Sequence, residues 1–300
     1  MQIIKKTSIN FIRFRLIAAI FSMVLISCGI ASLIINGGPR LSIDFTGGTI
    51  VQVQFKETIS IPEVRKKIME YGFSSAEIVE FGNPKEIIIK TQTTGPNSEI
   101  SKNLSSALLN EEFLIRRIES VGPKIGGELQ RDSLVAIGLA LMMILLYISF
   151  RFDAYYAIGS VVALIHDIAI TLGIFSLLSY EINLSIIAAF LTIVGYSLND
   201  TIVVYDRIRE NVPKNIKKSL SEIVNISINE TLSRTLITSI TTMMVVITLY
   251  IFGGEVIGLF AYALIVGVFI GTYSSIFVAT PLLAYTKVTQ KTILKEDSEI

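Results

Sequence analysis

Cysteine and charged residues are both scarce in this sequence. Cys28 is the single cysteine among 300 residues, so the chain has neither an intrachain disulfide framework nor a cluster of thiolates that could hold a metal. Charged residues make up 17% of the chain, whereas soluble globular proteins carry about 25%. The formal net charge of +1 gives no reason to expect nucleic-acid binding. This composition indicates a membrane protein.

Six apolar runs are long enough to cross a bilayer, which takes about 20 residues of helix. The predicted spans are 16–35, 134–150, 154–178, 184–204, 235–252 and 256–284. They divide the chain into an N-terminal segment (1–15), an outer domain (36–132), a five-helix membrane domain (133–285) and a C-terminal tail (286–300).

Lysine and arginine in the short flanking segments predict the orientation of the spans. Basic residues precede the first span, lie between the second and third and between the fourth and fifth, and follow the sixth. The short loops on the opposite side, around Glu181 and Glu255, contain none. We therefore expect both termini in the cytoplasm and the outer domain in the periplasm.

The first span offers an alternative interpretation. Residues 25–28 read Leu-Ile-Ser-Cys, which fits a lipoprotein signal peptidase site. The apolar run continues past Cys28 to Ile35, where a lipoprotein would turn polar. An uncleaved anchor is therefore the favoured interpretation, and processing at Cys28 is the alternative.

The outer domain shows strand and helix patterns in the order βαββαβ. Strands are predicted over 49–55, 76–81, 86–92 and 113–119, and helices over 62–71 and from about 98 to 109. This order is typical of a ferredoxin-like α+β domain. The domain contains no Cys/His cluster and no nucleophile with a nearby base, so we expect a protein-contact domain and not an enzyme.

Several blocks of sequence carry a resemblance to a known family. Residues 43–49 read Ile-Asp-Phe-Thr-Gly-Gly-Thr, in which Asp44, Phe45, Gly47 and Gly48 form the family motif. Residues 194–201 read Val-Gly-Tyr-Ser-Leu-Asn-Asp-Thr, and further blocks lie at 121–123, 149–152, 163–167, 231–235 and 271–275. In this order and spacing the sequence resembles the SecF branch of the SecD/SecF family, within the resistance-nodulation-division superfamily.

The resemblance implies a subunit that works with SecD beside the SecYEG translocon in the bacterial inner membrane. It implies that the proton-motive force draws exported preprotein chains outward in the late steps of export. Protons would be the coupling ion, and no other cofactor or metal is expected. Two rival functions stay open: an exporter of small molecules or lipids of the same superfamily, and a translocon scaffold that conducts no protons.

Asp200 is the acidic residue of the fourth predicted span, where an ionised side chain costs about 2.5–3.5 kcal/mol on insertion scales. Arg234 lies just before the fifth span, and two spans of opposite direction would place the two residues at comparable depth. The resemblance implies that both belong to a proton pathway, and Asn199 and Thr201 are candidates to orient Asp200. The alternative is that Asp200 anchors a helix end while Arg234 reaches the interface.

His166 and Asp167 lie near the middle of the third predicted span. Adjacent helical residues point about 100° apart, so we do not expect both to face one seam. Proton handling and structural bonds to neighbouring helices are both open roles.

Gly267 and Gly271 form a small-xxx-small pair in the sixth span. We expect this pair to pack within the chain, with a contact to SecD as the alternative.

The stretch 213–232 carries apolar residues at helical spacing with lysines between them. This pattern predicts an amphipathic helix along the membrane surface, between the fourth and fifth spans.

Overall fold

The computed structural model describes residues 7–73, 76–109, 111–152 and 154–285. The predicted C-terminal tail, 286–300, lies outside the described residues. The chain divides into two compact units. We call the first, made of Met1–Arg40, Ile137–Tyr180 and Ser185–Ile300, the helical unit, and the second, made of Leu41–Ala136 and Glu181–Leu184, the sheet unit.

Helices dominate the described residues. In chain order the elements are a 3₁₀ turn (Phe11–Phe14), α1 (Arg15–Ile35), α2 (Ile43–Thr46), β1 (Gly48–Phe55), α3 (Ile61–Met69), β2 (Glu77–Phe81), β3 (Asn83–Thr91), α4 (Asn97–Ala107), β4 (Phe113–Val121), α5 (Pro123–Arg151), α6 (Ala154–Leu177), α7 (Leu184–Lys214), α8 (Leu220–Phe252), α9 (Gly254–Ser274), a π-helical segment (Ser275–Ala279) and α10 (Thr280–Tyr285).

The sheet unit is a four-stranded antiparallel sheet in the order β2-β3-β1-β4. Alternate residues of the central strand β1, such as Val51 and Val53, are fully buried because successive side chains of a strand point to opposite faces. The same core receives Val64 and Ile68 from α3. The predicted ferredoxin-like order βαββαβ is confirmed.

An ion cluster ties α3 to the residues that precede β4. The ammonium of Lys67 lies 2.5 Å from Glu111 and 3.1 Å from Glu63. The hydrogen bond with Glu111, helped by that with Glu63, raises the pKa of Lys67 above its usual value. The lysine therefore stays charged throughout the physiological range.

The helical unit contains most of the residues that can cross a membrane; the first part of α5, up to Ala136, is counted with the sheet unit. Six helical stretches in the described residues are long and apolar enough, at Phe11–Ile35, Pro123–Arg151, Tyr155–Leu177, Leu184–Lys214, Leu220–Phe252 and Ile257–Leu283. The last of these combines α9, the π-helical segment and most of α10. The prediction of six membrane helices is confirmed, and the chain is a multi-pass membrane protein.

Several helices extend well beyond the predicted spans. α5 begins at Pro123 and α8 at Leu220, because apolar composition marks the membrane-crossing part of a helix and not its ends. The separate surface helix predicted over 213–232 is wrong: most of it is the first part of α8, which is continuous with the fifth span. A capping box at Ser219 and Glu222 starts this helix, and neither glycine nor proline interrupts the chain before Phe252.

Candidate functional site

Asp200 lies where α7, α8 and α9 meet, and its side chain is buried, with 2% of the residue exposed. The hydroxyl of Ser239 in α8 lies 3.5 Å from Asp200 Oδ2, at the outer limit of a hydrogen bond. The same hydroxyl lies 2.7 Å from the hydroxyl of Thr272 in α9. The carboxyl group therefore faces hydroxyl groups from two other helices.

Arg234 is not the direct partner of Asp200 in this arrangement. Its side chain is exposed, and the described residues show no ion pair within 4 Å between the two. Arg234 does lie within electrostatic reach of the carboxyl group. Ser239, which does approach the carboxyl group of Asp200, lies five residues after Arg234 in α8. Five residues correspond to about 7.5 Å along the helix axis.

Asn199 and Thr201 do not orient Asp200 through hydrogen bonds in the described structure. Asn199 is exposed. Thr201 is buried, but its hydroxyl donates to the carbonyl of Ser197 at 3.2 Å, one turn back in the same helix. Ser239 is the residue that approaches the carboxyl group, the role that the sequence suggested for Asn199 and Thr201. Ser239 could not be singled out from the sequence, because α8 contains several other serine and threonine residues.

His166 and Asp167 share one buried seam, so the expectation that they would not was wrong. His166 Nδ1 lies 2.8 Å from Asp167 Oδ1, and the two residues are 6% and 1% exposed. Although adjacent Cβ atoms on a helix diverge, side-chain torsions bring the ring and the carboxyl group back together. They form a hydrogen-bonded pair.

Three other helices contribute hydroxyl groups to this pair. Ser197 of α7 and Ser274 of α9 donate to Asp167 Oδ2 at 2.6 and 2.8 Å. Ser22 of α1 lies 2.9 Å from His166 Nε2. The pair is therefore the centre of a polar network that joins α1, α6, α7 and α9.

Small residues let these helices approach closely. A Cβ added to Gly271 would lie 3.0 Å from the Cβ of Ser197, and one added to Gly267 would overlap the side chain of Ile193. Both glycines of the predicted pair thus face α7 of the same chain, in agreement with intrachain packing. Gly29 and Gly173, which sequence reasoning missed, form a similar crossing of α1 and α6, where an added Cβ would lie 2.7 Å from the opposite Cα.

The Asp-Phe-Thr-Gly-Gly motif forms a tight junction in the sheet unit. Gly47 and Gly48 have φ values of 73° and 136°, which favour glycine, and a Cβ on Gly47 would lie 2.8 Å from the Cα of Pro123. Phe45 is 6% exposed. Asp44 Oδ2 accepts a hydrogen bond of 3.0 Å from the backbone N–H of Leu184.

Metal chemistry finds no support in the described part of the chain. No group of three or more His, Cys, Asp or Glu side chains there could hold a metal ion. The described helices bring together two buried carboxyl groups, one histidine and several hydroxyl groups.

Two family models match the sequence. The family described as "Protein export membrane protein SecD/SecF, C-terminal" matches residues 100–289, and the "SecD/SecF GG Motif" family matches residues 32–59. The second match covers the motif at Asp44, Phe45, Gly47 and Gly48, and the first covers the helices that carry Asp167 and Asp200.

Curated relatives are similar over almost the whole chain. A protein translocase subunit SecF of Desulfurispirillum indicum is 44% identical over 92% of this chain and 91% of its own length. That of Thermodesulfovibrio yellowstonii is 45% identical over 94% and 96%, and that of Escherichia coli O157:H7 is 40% identical over 84% and 81%.

Solved structures share the fold as well. The crystal structure of SecDF, described as a translocon-associated membrane protein from Thermus thermophilus, is 38% identical with a TM-score of 0.83. The match covers 92% of this chain but 38% of that one. A structure of SecDF in a super-membrane-facing form gives 36% identity and a TM-score of 0.70, over 99% of this chain and 41% of that one. The chain belongs to the SecF family of protein translocase subunits.

Proposed function

We propose that this chain is the SecF-type subunit of a SecD–SecF complex that uses the proton-motive force to promote the late steps of preprotein export. The complex would act beside SecYEG in the bacterial inner membrane. Both termini would be cytoplasmic and the sheet unit periplasmic, as the distribution of lysine and arginine predicts. The chain would catalyse no covalent reaction, and protons would be its coupling ion.

One observation carries the proton-coupled part of this proposal: a buried carboxyl group within a membrane helix has no ion-pair partner among the residues that the structure describes. Asp200 is 2% exposed and faces the hydroxyl of Ser239, while Arg234 lies within electrostatic reach without contact. Such a carboxyl group can hold a proton in one state and meet the guanidinium in another. Each 100 mV of membrane potential supplies about 2.3 kcal/mol per charge moved, enough to bias two helix arrangements.

The proposed partner is SecD. The SecDF structures are about two and a half times the length of this chain, and the chain matches about two fifths of them. A separate SecD chain would supply the rest. α5 and α8 present many exposed apolar side chains in the helical unit, among them Leu139, Met143, Met244 and Val245, which suit contact with lipid or with another membrane subunit.

The two rival functions have less support. A small-molecule or lipid exporter of the superfamily usually has two large periplasmic domains and about twelve spans, whereas the described residues of this chain form one sheet unit and six candidate spans. A scaffold that moves no protons would use Asp200 as a structural anchor, a role that its 3.5 Å contact with Ser239 serves poorly.

The test is export in cells that carry a single copy of the gene with Asp200→Asn. We expect loss of the protonophore-sensitive part of export, because the amide cannot take up or release a proton. Asp206→Asn is the matched control: Asp206 lies in the same helix, but it is partly exposed and faces Arg151 at 3.4 Å. Normal export with Asp200→Asn would favour the scaffold.

A second measurement tests the partner. The chain, tagged at Ile300, would be purified from detergent-solubilised membranes, and the co-purifying proteins would be identified by mass spectrometry. SecD and translocon subunits are expected. Recovery of the chain alone, or of an unrelated periplasmic adaptor, would favour an independent exporter.

A further inference from the structure

A line of hydrogen-bonding groups runs from α1 to the histidine–aspartate pair of α6. Tyr273 donates its hydroxyl to the carbonyl of Ala18 at 2.7 Å, and the same hydroxyl lies 3.0 Å from the hydroxyl of Ser22. Ser22 in turn lies 2.9 Å from His166 Nε2, and His166 Nδ1 lies 2.8 Å from Asp167 Oδ1. The line thus contains four contacts, each of which needs one hydrogen.

Counting hydrogens along the line fixes where they lie. A carbonyl group has no hydrogen to donate, so Tyr273 donates its single hydroxyl hydrogen to the carbonyl of Ala18. The contact between Tyr273 and Ser22 then uses the single hydroxyl hydrogen of Ser22. Ser22 has none left for the ring, so the hydrogen of the next contact belongs to His166 Nε2. The last contact needs a further hydrogen, on His166 Nδ1 or on Asp167.

The surroundings of the carboxyl group place that last hydrogen on the ring. Asp167 Oδ2 accepts hydrogen bonds from Ser197 and Ser274, and two donors on one oxygen stabilise the ionised carboxylate. His166 then carries hydrogen on both nitrogens. With hydrogen on both ring nitrogens, the two residues, which are 6% and 1% exposed, would form an imidazolium–carboxylate pair with no net charge.

We propose that His166 and Asp167 form a second proton-holding site, and that Ser22 and Tyr273 make retention of its proton depend on the packing of α1 against α6 and α9. A ring that has lost one hydrogen can satisfy the contact with Asp167 or the contact with Ser22, but not both. If Ser22 turns its hydrogen to the ring, its contact with Tyr273 is left without one. Release of the proton therefore loosens a bond between helices.

Four side chains of the described residues face the pair. α1 presents Ser22, α7 presents Ser197, and α9 presents Ser274 and Tyr273. Tyr273 is the titratable group among them, and its ring stacks near the imidazole at a centroid distance of 6.0 Å. The role of this site in export rests on the proposed function, whereas its protonation can be measured without export.

The experiment uses the fact that His166 is the single histidine of the chain. This chain, labelled with ¹⁵N-histidine and carrying no polyhistidine tag, is combined with separately produced, unlabelled partner in liposomes, so that the solid-state NMR signals come from this ring alone. At pH 7 we expect both ring nitrogens to carry hydrogen. Asp167→Asn, which removes the countercharge, and Ser22→Ala, which removes the acceptor at Nε2, should each convert the ring to the neutral form.

Ser32→Ala is the matched control for Ser22→Ala. Ser32 lies on the same helix, is 8% exposed and bonds Ser176 of α6 at 2.8 Å, so its loss should leave both ring nitrogens protonated. A neutral ring in the unmodified protein would overturn the proposal, and this measurement needs no variant to fold. A charged ring that persists in Asp167→Asn or in Ser22→Ala would also overturn it. If the NMR result holds while Asp200→Asn exports normally, the proposed function fails and the proton site stands.

Discussion

The two buried carboxyl groups of the helical unit differ in how completely they are hydrogen-bonded. Asp167 is held by the ring of His166 and by two serine hydroxyls at 2.6 and 2.8 Å. Asp200 is approached by Ser239 at 3.5 Å. A fully satisfied buried network is rigid, whereas a weakly satisfied group can change partner at smaller cost. Asp167 is therefore suited to hold the helices in one arrangement as long as His166 keeps its proton, and Asp200 is suited to change its hydrogen-bond partner.

Residue types in the sequence revealed these acidic groups but not their partners. An aspartate within an apolar run is conspicuous, so Asp167 and Asp200 could be singled out. The choice of Ser239 over Arg234 depends on how far α8 slides and turns against α7, which hydropathy does not record. The pairing of His166 with Asp167 depends on side-chain torsions, which helical periodicity alone does not include.

Replacement of Gly267 by alanine should destabilise the helical unit, since the new methyl group would overlap Ile193, which is 1% exposed. Overpacking of this kind costs roughly 1–3 kcal/mol. Gly258→Ala in the same helix is the control, because an added Cβ there meets nothing within 4 Å. Thermal unfolding in detergent measures both, and combining Gly267→Ala with Ile193→Ala should recover part of the loss. Equal melting temperatures for the two glycine variants would contradict the close contact.

At the scale of elements, α7 and α8 continue beyond their apolar parts as a packed pair. Tyr205, Ile208 and Val212 of α7 and Ile223 of α8 are fully buried in one core. This explains why the stretch 213–232 looked like a surface helix: Ile223, Val224 and Ile228 do form one apolar face, but that face is buried in this core, and Ile216 lies exposed in the turn before α8. Periodicity identifies a face and not what covers it.

Two asparagines on this part of α8 hold the segment before α1. Asn225 Oδ1 accepts from the backbone N–H of Phe11 at 2.8 Å, and Asn229 Oδ1 accepts from that of Ile9 at 2.9 Å. Both side-chain amides donate to the carbonyl of Ile9. Because the two asparagines are one helical turn apart, both side chains contact the backbone of residues 9–11 from the same side.

The combined substitution Asn225→Ala and Asn229→Ala should free this segment. Loss of four hydrogen bonds worth about 0.5–1.5 kcal/mol each should speed tryptic cleavage at Arg13 by roughly thirtyfold or more. Asn215→Ala is the control, since Asn215 donates to the carbonyl of Asn211 within its own helix turn. Limited proteolysis followed by mass spectrometry gives the rates. Equal rates in the two variants would show that the asparagines do not hold the segment.

On the scale of the whole chain, the sheet unit takes in a short connection from a distant part of the sequence. Residues 181–184, which join α6 to α7, belong to it. Glu181 pairs with Lys90 of β3 at 2.5 Å, and the carbonyl of Ile182 accepts from the N–H of Ser42 at 2.9 Å. The sequence predicted the sheet unit and the motif as separate features, but not this connection, because pairing over some 140 residues leaves no local pattern.

Asp44 gives this connection its most specific contact. The first N–H groups of a helix have no partner within it, and Leu184 is the first residue of α7. Its N–H donates to Asp44 Oδ2 at 3.0 Å, so the family motif supplies the cap of a helix that begins 140 residues later. A carboxylate also suits the positive end of the helix dipole.

Asp44→Ala should therefore weaken the start of α7, whereas Asp44→Asn, which keeps an oxygen acceptor, should have a smaller effect. Loss of a cap costs about 1 kcal/mol, which corresponds to roughly fivefold faster hydrogen exchange at the Leu184 amide. Hydrogen–deuterium exchange with mass spectrometry of peptides over the start of α7 measures this rate in the reconstituted complex.

Thr46→Val serves as the control, since Thr46 lies in the same motif and its hydroxyl donates to the carbonyl of Ser42 at 3.1 Å. If exchange in Asp44→Ala matches that of Thr46→Val, the motif acts within its own turn and does not cap α7. Faster exchange in Asp44→Ala alone would show that Asp44 of the motif caps α7 at Leu184.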